Sequence, residues 1–255
     1  MAVTTAATEP SAPELPDTTL EPSTQPGAEP VATEPAATAK PRRRSPRRRL
    51  TFEEFLARAD EDTRAEWVDG VVEVIDVPTI EHQRLMKFLA MLLDLFVSAR
   101  RLGEVCLPPY PMRLATRPSG REPDVRFVAA ARRDRLTSQF LDGPADLVIE
   151  IISEGSVGRD RGDKFAEHEA AGVLEYWLID YLRTEALFYR LGDDGRYHRH
   201  DPDARGIYAA GVLPGFWLDV DWLWQDPLPA SLDCLRQIEA TASEGHPPAA
   251  EARPQ

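Results

Sequence analysis

The sequence predicts an α/β (α+β) domain, a mixed β-sheet flanked by helices, behind a disordered N-terminal tail. Three observations carry that prediction. Residues 1–49 hold little but Pro, Ala, Thr, Glu and Arg, and such a stretch cannot bury enough apolar surface to fold. The run Leu147-Val148-Ile149-Glu150-Ile151-Ile152 is apolar at every position but one, the pattern of a central strand buried on both faces. The elements also follow the order helix, strand, long helix, several strands, helix, strands, which is no regular βαβ series. A chain of 255 residues has room for one sizeable domain plus tails. The domain is expected over residues 50–226, and residues 227–255 form a C-terminal tail with room for one short helix.

The elements can be justified in turn. Thr51-Phe52-Glu53-Glu54 has the form of a capping box, with Phe52, Phe55 and Leu56 as the first apolar face. Val68-Asp69-Gly70-Val71 reads as a turn into a strand over Val71–Ile75. Thr79 can cap a long helix from Ile80 to Arg101, whose stripe Leu85, Phe88, Leu89, Leu92, Leu93, Phe96 fits a 3.6-residue period. Short strands follow at Val105–Leu107, Met112–Leu114 and Asp124–Val128, and then the apolar run Leu147–Ile152. Asp160 can cap a helix that Gly172 stops after Ala171. Glu175–Asp180 and Glu185–Arg190 read as consecutive strands. Gly192-Asp193-Asp194-Gly195 turns into Arg196–His200, and a last strand covers Gly206–Ala210. There is no internal repeat, Gly-rich phosphate loop or GxGxxG fingerprint.

Bulk properties narrow the function classes. The net charge is −13, and the tail, with seven basic residues against six acidic ones, accounts for +1 of it. An acidic body argues against broad binding to polyanions. It leaves room for a metal-dependent nuclease, because a bound cation changes the local field. Two cysteines, Cys106 and Cys234, stand far apart. They make a disulfide scaffold or zinc site improbable and fit a reducing cytoplasm. No apolar stretch reaches the roughly 18 residues of a membrane span, and the first residues lack the charged-then-apolar pattern of a signal peptide. The run Lys40-Pro41-Arg42-Arg43-Arg44-Ser45-Pro46-Arg47-Arg48-Arg49 is either a phosphate-contacting arm or a solvated leader. Its prolines block a helix, and no aromatics interleave for base stacking.

The chemistry concentrates between Pro123 and Lys164. Glu150 is a carboxylate inside an apolar strand, which is costly unless it is paired, hydrogen-bonded or metal-bound. Alternation puts it on the face of Val148 and Ile152. Asp124 stands where a strand meets a loop, a good place for a ligand to a hard cation. Asp146, at the start of the Glu150 strand, adds to the acidic pattern. Lys164 early in the next helix can support charge on a phosphate, or it can merely pair with Glu167 or His168. His82 opens the long helix and can face the same site. Glu66 and Glu73, flanking the Asp69-Gly70 turn, are weaker candidates, and His168, His198, His200 and His246 show no ligand spacing with acids. Ser153 lies in no GxSxG elbow. Asp124 and Glu150 lack the nearby aromatics of a sugar cleft, and Tyr176 and Trp177 read as core.

Taken together, several motifs resemble the Uma-two family of inferred restriction endonucleases over residues 50–225. They are Glu66-Trp67-Val68-Asp69-Gly70-Val71-Val72, His82 at a helix start, Pro123-Asp124 and Pro144 to Ser153. Asp160 to Lys164, Gly172 to Asp180 and Leu213-Pro214-Gly215-Phe216 complete the set. The resemblance implies the restriction-endonuclease-like fold of the PD-(D/E)xK superfamily, with Asp124 and Glu150 as the two acids and Mg²⁺ or Mn²⁺ as cofactor, held by those acids and the Ile151 carbonyl. The lysine that the superfamily carries two positions after the second acid is Ile152 here, and the family relocates that lysine to the next helix, at Lys164. Residue 168 is His where the family usually shows Tyr.

The expected function is therefore a Mg²⁺-dependent DNA endonuclease with Asp124, Glu150, Lys164 and His82 at its site. It would act as a homodimer, with Arg42, Arg43, Arg44, Arg47, Arg48 and Arg49 touching nucleic acid and no membrane association. A noncatalytic nucleic-acid-binding module on the same fold and a homo-oligomeric scaffold are the alternatives.

Overall fold

The computed structural model describes residues 49–58, 65–74, 78–116, 118–153 and 162–243. It begins with helix α1 (Phe52–Leu56). The expected capping box is formed: the Glu54 N–H donates to the Thr51 hydroxyl at 3.1 Å, and the Thr51 N–H donates to the Glu54 carboxylate at 3.0 Å. Strands β1 (Ala65–Val68) and β2 (Val71–Val74) form a hairpin around Asp69 and Gly70, whose φ angles are 48° and 82°. Two successive residues with positive φ give the tight turn whose twist matches that of paired strands. The sequence reading predicts only the second of these strands, because Ala65-Glu66-Trp67-Val68 is short and carries a central acid. Ile75 lies outside the described residues.

Helix α2 (Ile80–Arg100) is capped by Thr79, which accepts from the His82 N–H at 3.3 Å, and it ends as Arg101 turns left-handed at φ 56°. Then come β3 (Gly103–Cys106), β4 (Met112–Leu114), β5 (Ser119–Arg121), β6 (Val125–Ala129), β7 (Leu141–Asp142) and β8 (Leu147–Ile151). Helix α3 (Lys164–Ala171) stops at Gly172, φ 86°. Asp160, its expected cap, lies outside the described residues. Strands β9 (Glu175–Asp180), β10 (Glu185–Leu191), β11 (Tyr197–Arg199), β12 (Ile207–Ala209) and β13 (Trp217–Asp219) and helix α4 (Ser231–Ser243) complete the order. Strands β5, β7 and β13 are absent from the sequence reading, being too short to show alternation.

The strands form two larger sheets and a ribbon. One sheet runs β11-β10-β9-β8-β6-β3, the other β2-β1-β5-β4-β7, and β12 pairs with β13. Within the first sheet only β8 and β9 are parallel, and within the second only β4 and β7. The expected mixed sheet is thus present, divided in two.

The apolar stripe of α2 covers one face of the six-stranded sheet. Leu89, Leu92, Leu93, Phe96 and Val97 lie in one core with Val125, Phe127, Ile149, Ile151 and Trp177. The other face carries Val128, Val148, Ile152, Tyr176 and Leu178, which share a second core with Met112, Leu114 and Leu141 of the five-stranded sheet. Strand β8 is therefore enclosed from both sides, as its near-continuous apolar run implies. Helix α1 is seated by Phe52, whose ring lies over Gly120 of β5: a Cβ on Gly120 would come within 2.6 Å of it. Among the described residues, no helix is long and apolar enough to cross a membrane.

Phe96 is wholly buried and meets Phe216 edge to face at 5.1 Å. Replacing it with alanine should lower the unfolding free energy by about 3–5 kcal/mol, through the burial forfeited and the cavity left behind. The measurement is the shift in the urea midpoint, and a change under about 1 kcal/mol would contradict this account of the core.

Candidate active site

The pairing of β6 with β8 sets the geometry. Val125 lies opposite Ile149 in an antiparallel register. Asp124 lies immediately before β6, and Glu150 follows Ile149 in β8. Both carboxylates are buried. Asp124 is fixed through one oxygen: Oδ2 accepts from the Ile151 N–H at 2.8 Å and lies 3.2 Å from His82 Nε2. His82 sits there because Thr79 starts α2 one turn before it. Lys164, the first residue of α3, reaches Glu150 from the other element, with Nζ 3.3 Å from Oε2 and 3.2 Å from Oε1. The four side chains that the sequence singles out thus form two pairs, Asp124 with His82 and Glu150 with Lys164, and Asp124 also holds the Ile151 N–H next to Glu150. Ile152, two positions after Glu150, is wholly buried in the second core.

Further charged groups surround this cluster. Glu66 is buried in β1, and its Oε1 lies 3.4 Å from Lys164 Nζ and accepts from the Glu122 N–H at 3.1 Å. Its other oxygen accepts from Arg121 Nη1 at 2.8 Å. Arg121 also grips Glu167 of α3 through two bonds of 2.7 and 2.8 Å. Glu73 lies 3.8 Å from the same guanidinium on the exposed side. Burial pushes the Glu66 carboxyl up, but Lys164, Arg121 and the Glu122 N–H outweigh it and bring the group down to about 2. Burial pulls the Arg121 guanidinium down while Glu167 and Glu66 raise it, and the net direction is up. Arg126, fully buried in β6 and bonded to the Tyr110 carbonyl, is lowered by burial against the pull of Cys106, Glu122 and Glu150.

Sequence reasoning ranks Glu66 low, names Glu167 only as a surface partner for Lys164, and passes over Arg121, Glu122 and Arg126. One signal was present: Arg121 and Glu122 immediately precede Pro123-Asp124. The bland alternative for Lys164, a helix-surface pair with Glu167 or His168, gives way to the contacts with Glu150 and Glu66. Asp146 does not join the cluster. It stands at the opposite end of β8, accepting from the Ala129 N–H at 2.7 Å and pairing with Arg132, so its carboxylate ties a loop down. His198 pairs with Asp194 on an exposed hairpin, His246 lies outside the described residues, and Tyr176 and Trp177 are core, as expected.

Residues 52–221 match the model of the Uma2 family, described as "Putative restriction endonuclease". The chain belongs to the Uma2 family. Similar proteins include the uncharacterized protein sll1609 of Synechocystis, 29% identical over 147 residues, which span 56% of this chain and 82% of that protein. A second, slr1290 of the same organism, is 36% identical over 74 residues, 29% of this chain and 38% of that protein. A crystal structure described as "a putative nuclease belonging to DUF820" from Anabaena variabilis shares the fold at a TM-score of 0.57 and 18% identity, covering 69% of this chain and 97% of that one.

In this Uma2 domain the residues present fit a hard divalent cation. Asp124 and Glu150 offer buried carboxylate oxygens, the donor type Mg²⁺ selects. Around the site, among the described residues, five buried carboxylates (Glu66, Glu122, Asp124, Glu150, Glu167) face three buried cations (Arg121, Arg126, Lys164), an excess of negative charge that a divalent ion offsets. Among the described residues no three His, Cys, Asp or Glu side chains converge as a ready-made metal cage. Mg²⁺ needs none, since it is commonly held by one or two carboxylates together with substrate phosphate and water.

The depressed Glu66 gives a testable acid response. A carboxylate whose folded value lies below its unfolded one contributes stability that is present above the unfolded value and lost as pH falls through the folded value. Here the window runs from 4.5 down to about 2. The stability difference between the wild-type Uma2 chain and Glu66→Gln should shrink by about 3 kcal/mol across it. Urea unfolding at a series of pH values reads this directly, and parallel curves for the two chains would refute it.

Proposed function

We propose that this chain is a Mg²⁺- or Mn²⁺-dependent endonuclease that hydrolyses DNA phosphodiester bonds at a PD-(D/E)xK-like site. The observations that support the reading are the buried Asp124 carboxylate bonded to the Ile151 N–H beside Glu150 and the Lys164 ammonium on Glu150. Asp124 and Glu150 hold the cation. Bound there, it supplies Lewis-acid activation of a water and neutralises charge on the scissile phosphate. The chain's own groups set the rest. The Ile151 N–H and His82 Nε2 lock Asp124 in one rotamer. Glu66 and Arg121 keep Lys164 pressed against Glu150 as a fixed positive charge beside the reacting phosphate, and preorganised charge of this kind stabilises a phosphoryl-transfer transition state. A homodimer suits cleavage of both strands of a duplex, one site to each.

The basic run fits the same reading. Arg49, its last residue, donates to the Asp69 carbonyl at 3.0 Å. The Leu50 N–H donates to the Gly70 carbonyl at 2.9 Å, and the Trp67 indole donates to the Leu50 carbonyl at 3.0 Å. The chain leaves the run at the tip of the β1–β2 hairpin, three residues, or roughly 10 Å of strand, from Glu66. Arg42, Arg43, Arg44, Arg47 and Arg48 lie outside the described residues. An arm tethered at that tip has the reach to touch phosphates flanking the site.

Purified protein incubated with DNA and Mg²⁺ or Mn²⁺ should nick or cut it. Glu150→Ala should abolish cleavage, and Lys164→Ala should slow it by about 10²–10³-fold. Undiminished cutting by Glu150→Ala would overturn the reading. The acidic body and Ile152 in the lysine position favour, as second reading, a noncatalytic nucleic-acid-binding module. Its signature is salt-sensitive binding with no cleavage by the wild type.

Deleting residues 40–48 should weaken DNA binding and flatten its dependence on log salt by about 0.9 for each phosphate that the arm neutralises. An unchanged slope would remove the arm from the interface.

A further inference from the structure

The inward face of α3 brings two side chains to one oxygen. Lys164 and His168 are one helical turn apart, and the ammonium stands 3.2 Å and the His168 Nε2 3.7 Å from Glu150 Oε1. His168 is wholly buried, with its ring packed against Tyr176 at a centroid distance of 5.4 Å. Among the described residues, neither of its ring nitrogens has a hydrogen-bond partner, and neither has Glu150 Oε1. A buried imidazole with two bare nitrogens is unfavourable, and a phenyl ring would fill the same space without that penalty. The bare imidazole nitrogen and a carboxylate oxygen whose other neighbour is the Lys164 ammonium face one another across a gap that a shift of under ~1 Å would close to hydrogen-bond length. Hydrogen bonds around catalytic groups are often long before ligand arrives and tighten on binding.

We propose, resting on the reading of Glu150 as a metal-holding carboxylate, that His168 is a positioning residue: its Nε2–H donates to Glu150 Oε1 and fixes that carboxylate for the cation. Lys164 supplies the charge at Glu150, and His168 supplies direction. The imidazole is enclosed between α3 and the sheet, on the side where Val148 and Tyr176 close the core. It therefore acts through Glu150 and does not touch the substrate. Partners of this kind behind a ligating side chain typically change metal affinity by about 10–100-fold when removed.

The test uses the full chain. Mn²⁺ affinity is titrated without DNA for the wild type, His168→Leu, which removes the donor, and His168→Gln, whose amide restores one near the Nε2 position. The expected result is weakening by about 10–100-fold in His168→Leu and recovery in His168→Gln. Equal affinity in all three overturns the proposal. Nitrogen-15 spectra of the histidine rings in the metal-free wild type give a second readout that survives any failure of the leucine variant to fold. The His168 proton should reside on Nε2, and that signal should shift in Glu150→Gln. A proton on Nδ1, or a signal indifferent to Glu150→Gln, overturns it. Absence of Mn²⁺ binding by the wild type, with the Nε2 signal as expected, sinks the metal reading of the site and leaves the His168–Glu150 bond standing.

Discussion

The antiparallel register of β6 on β8 is the constraint on which the site depends. Val125 against Ile149 brings Asp124, the residue before β6, to the end of the strand that carries Glu150, and a slip of one residue would turn Glu150 to the other face. The register is held by burial on both sides. Val125, Phe127, Ile149 and Ile151 pack under α2, while Val128, Val148 and Ile152 pack toward the second sheet. The apolar pattern that makes β8 a central strand thus also fixes where its one carboxylate points. Asp124 closes the arrangement by accepting the Ile151 N–H, so a metal-ligand candidate doubles as the last bond between the strands.

Around that register lies a network of buried charge. Arg121 joins three elements, since it bonds Glu66 of β1 and Glu167 of α3 from its own place in β5. Buried ion pairs of this kind contribute little net stability compared with apolar packing, yet breaking one is costly because it leaves a charge uncompensated. Their value here is geometric. Arg121 pins α3 against the β1–β5 pair, and α3 in turn presents Lys164 to Glu150 and Glu66. The Lys164 amine depends on that clamp for its position.

Much of this was legible in the chain. The capping box at Thr51, the Thr79 cap with its 3.6-residue stripe, the Asp69-Gly70 turn and the buried strand through Glu150 are local signals, written within a few residues of one another. So were the separate chemical oddities of Asp124, Glu150, Lys164 and His82. Strands β1 and β5 were not legible, because Ala65–Val68 carries a central acid and Ser119-Gly120-Arg121 holds no apolar residue to mark a strand. Glu66 and Arg121 went with them. Asp146 and Glu150 are alike to the sequence, two acids bounding one apolar run, and only position along the sheet separates a loop tie from a site residue.

The sequence by itself determined the helices, the central strand and the set of residues able to do chemistry, because those follow from side-chain type, period and capping within single segments. Which acids face one another, which cation serves which acid, and that His168 lies against Glu150 were decided only when the strands paired and α3 docked. Glu66, Arg121, Glu150 and the Lys164–His168 turn are distant from one another in the chain, and contact among them is a property of the packed layers that no local pattern encodes.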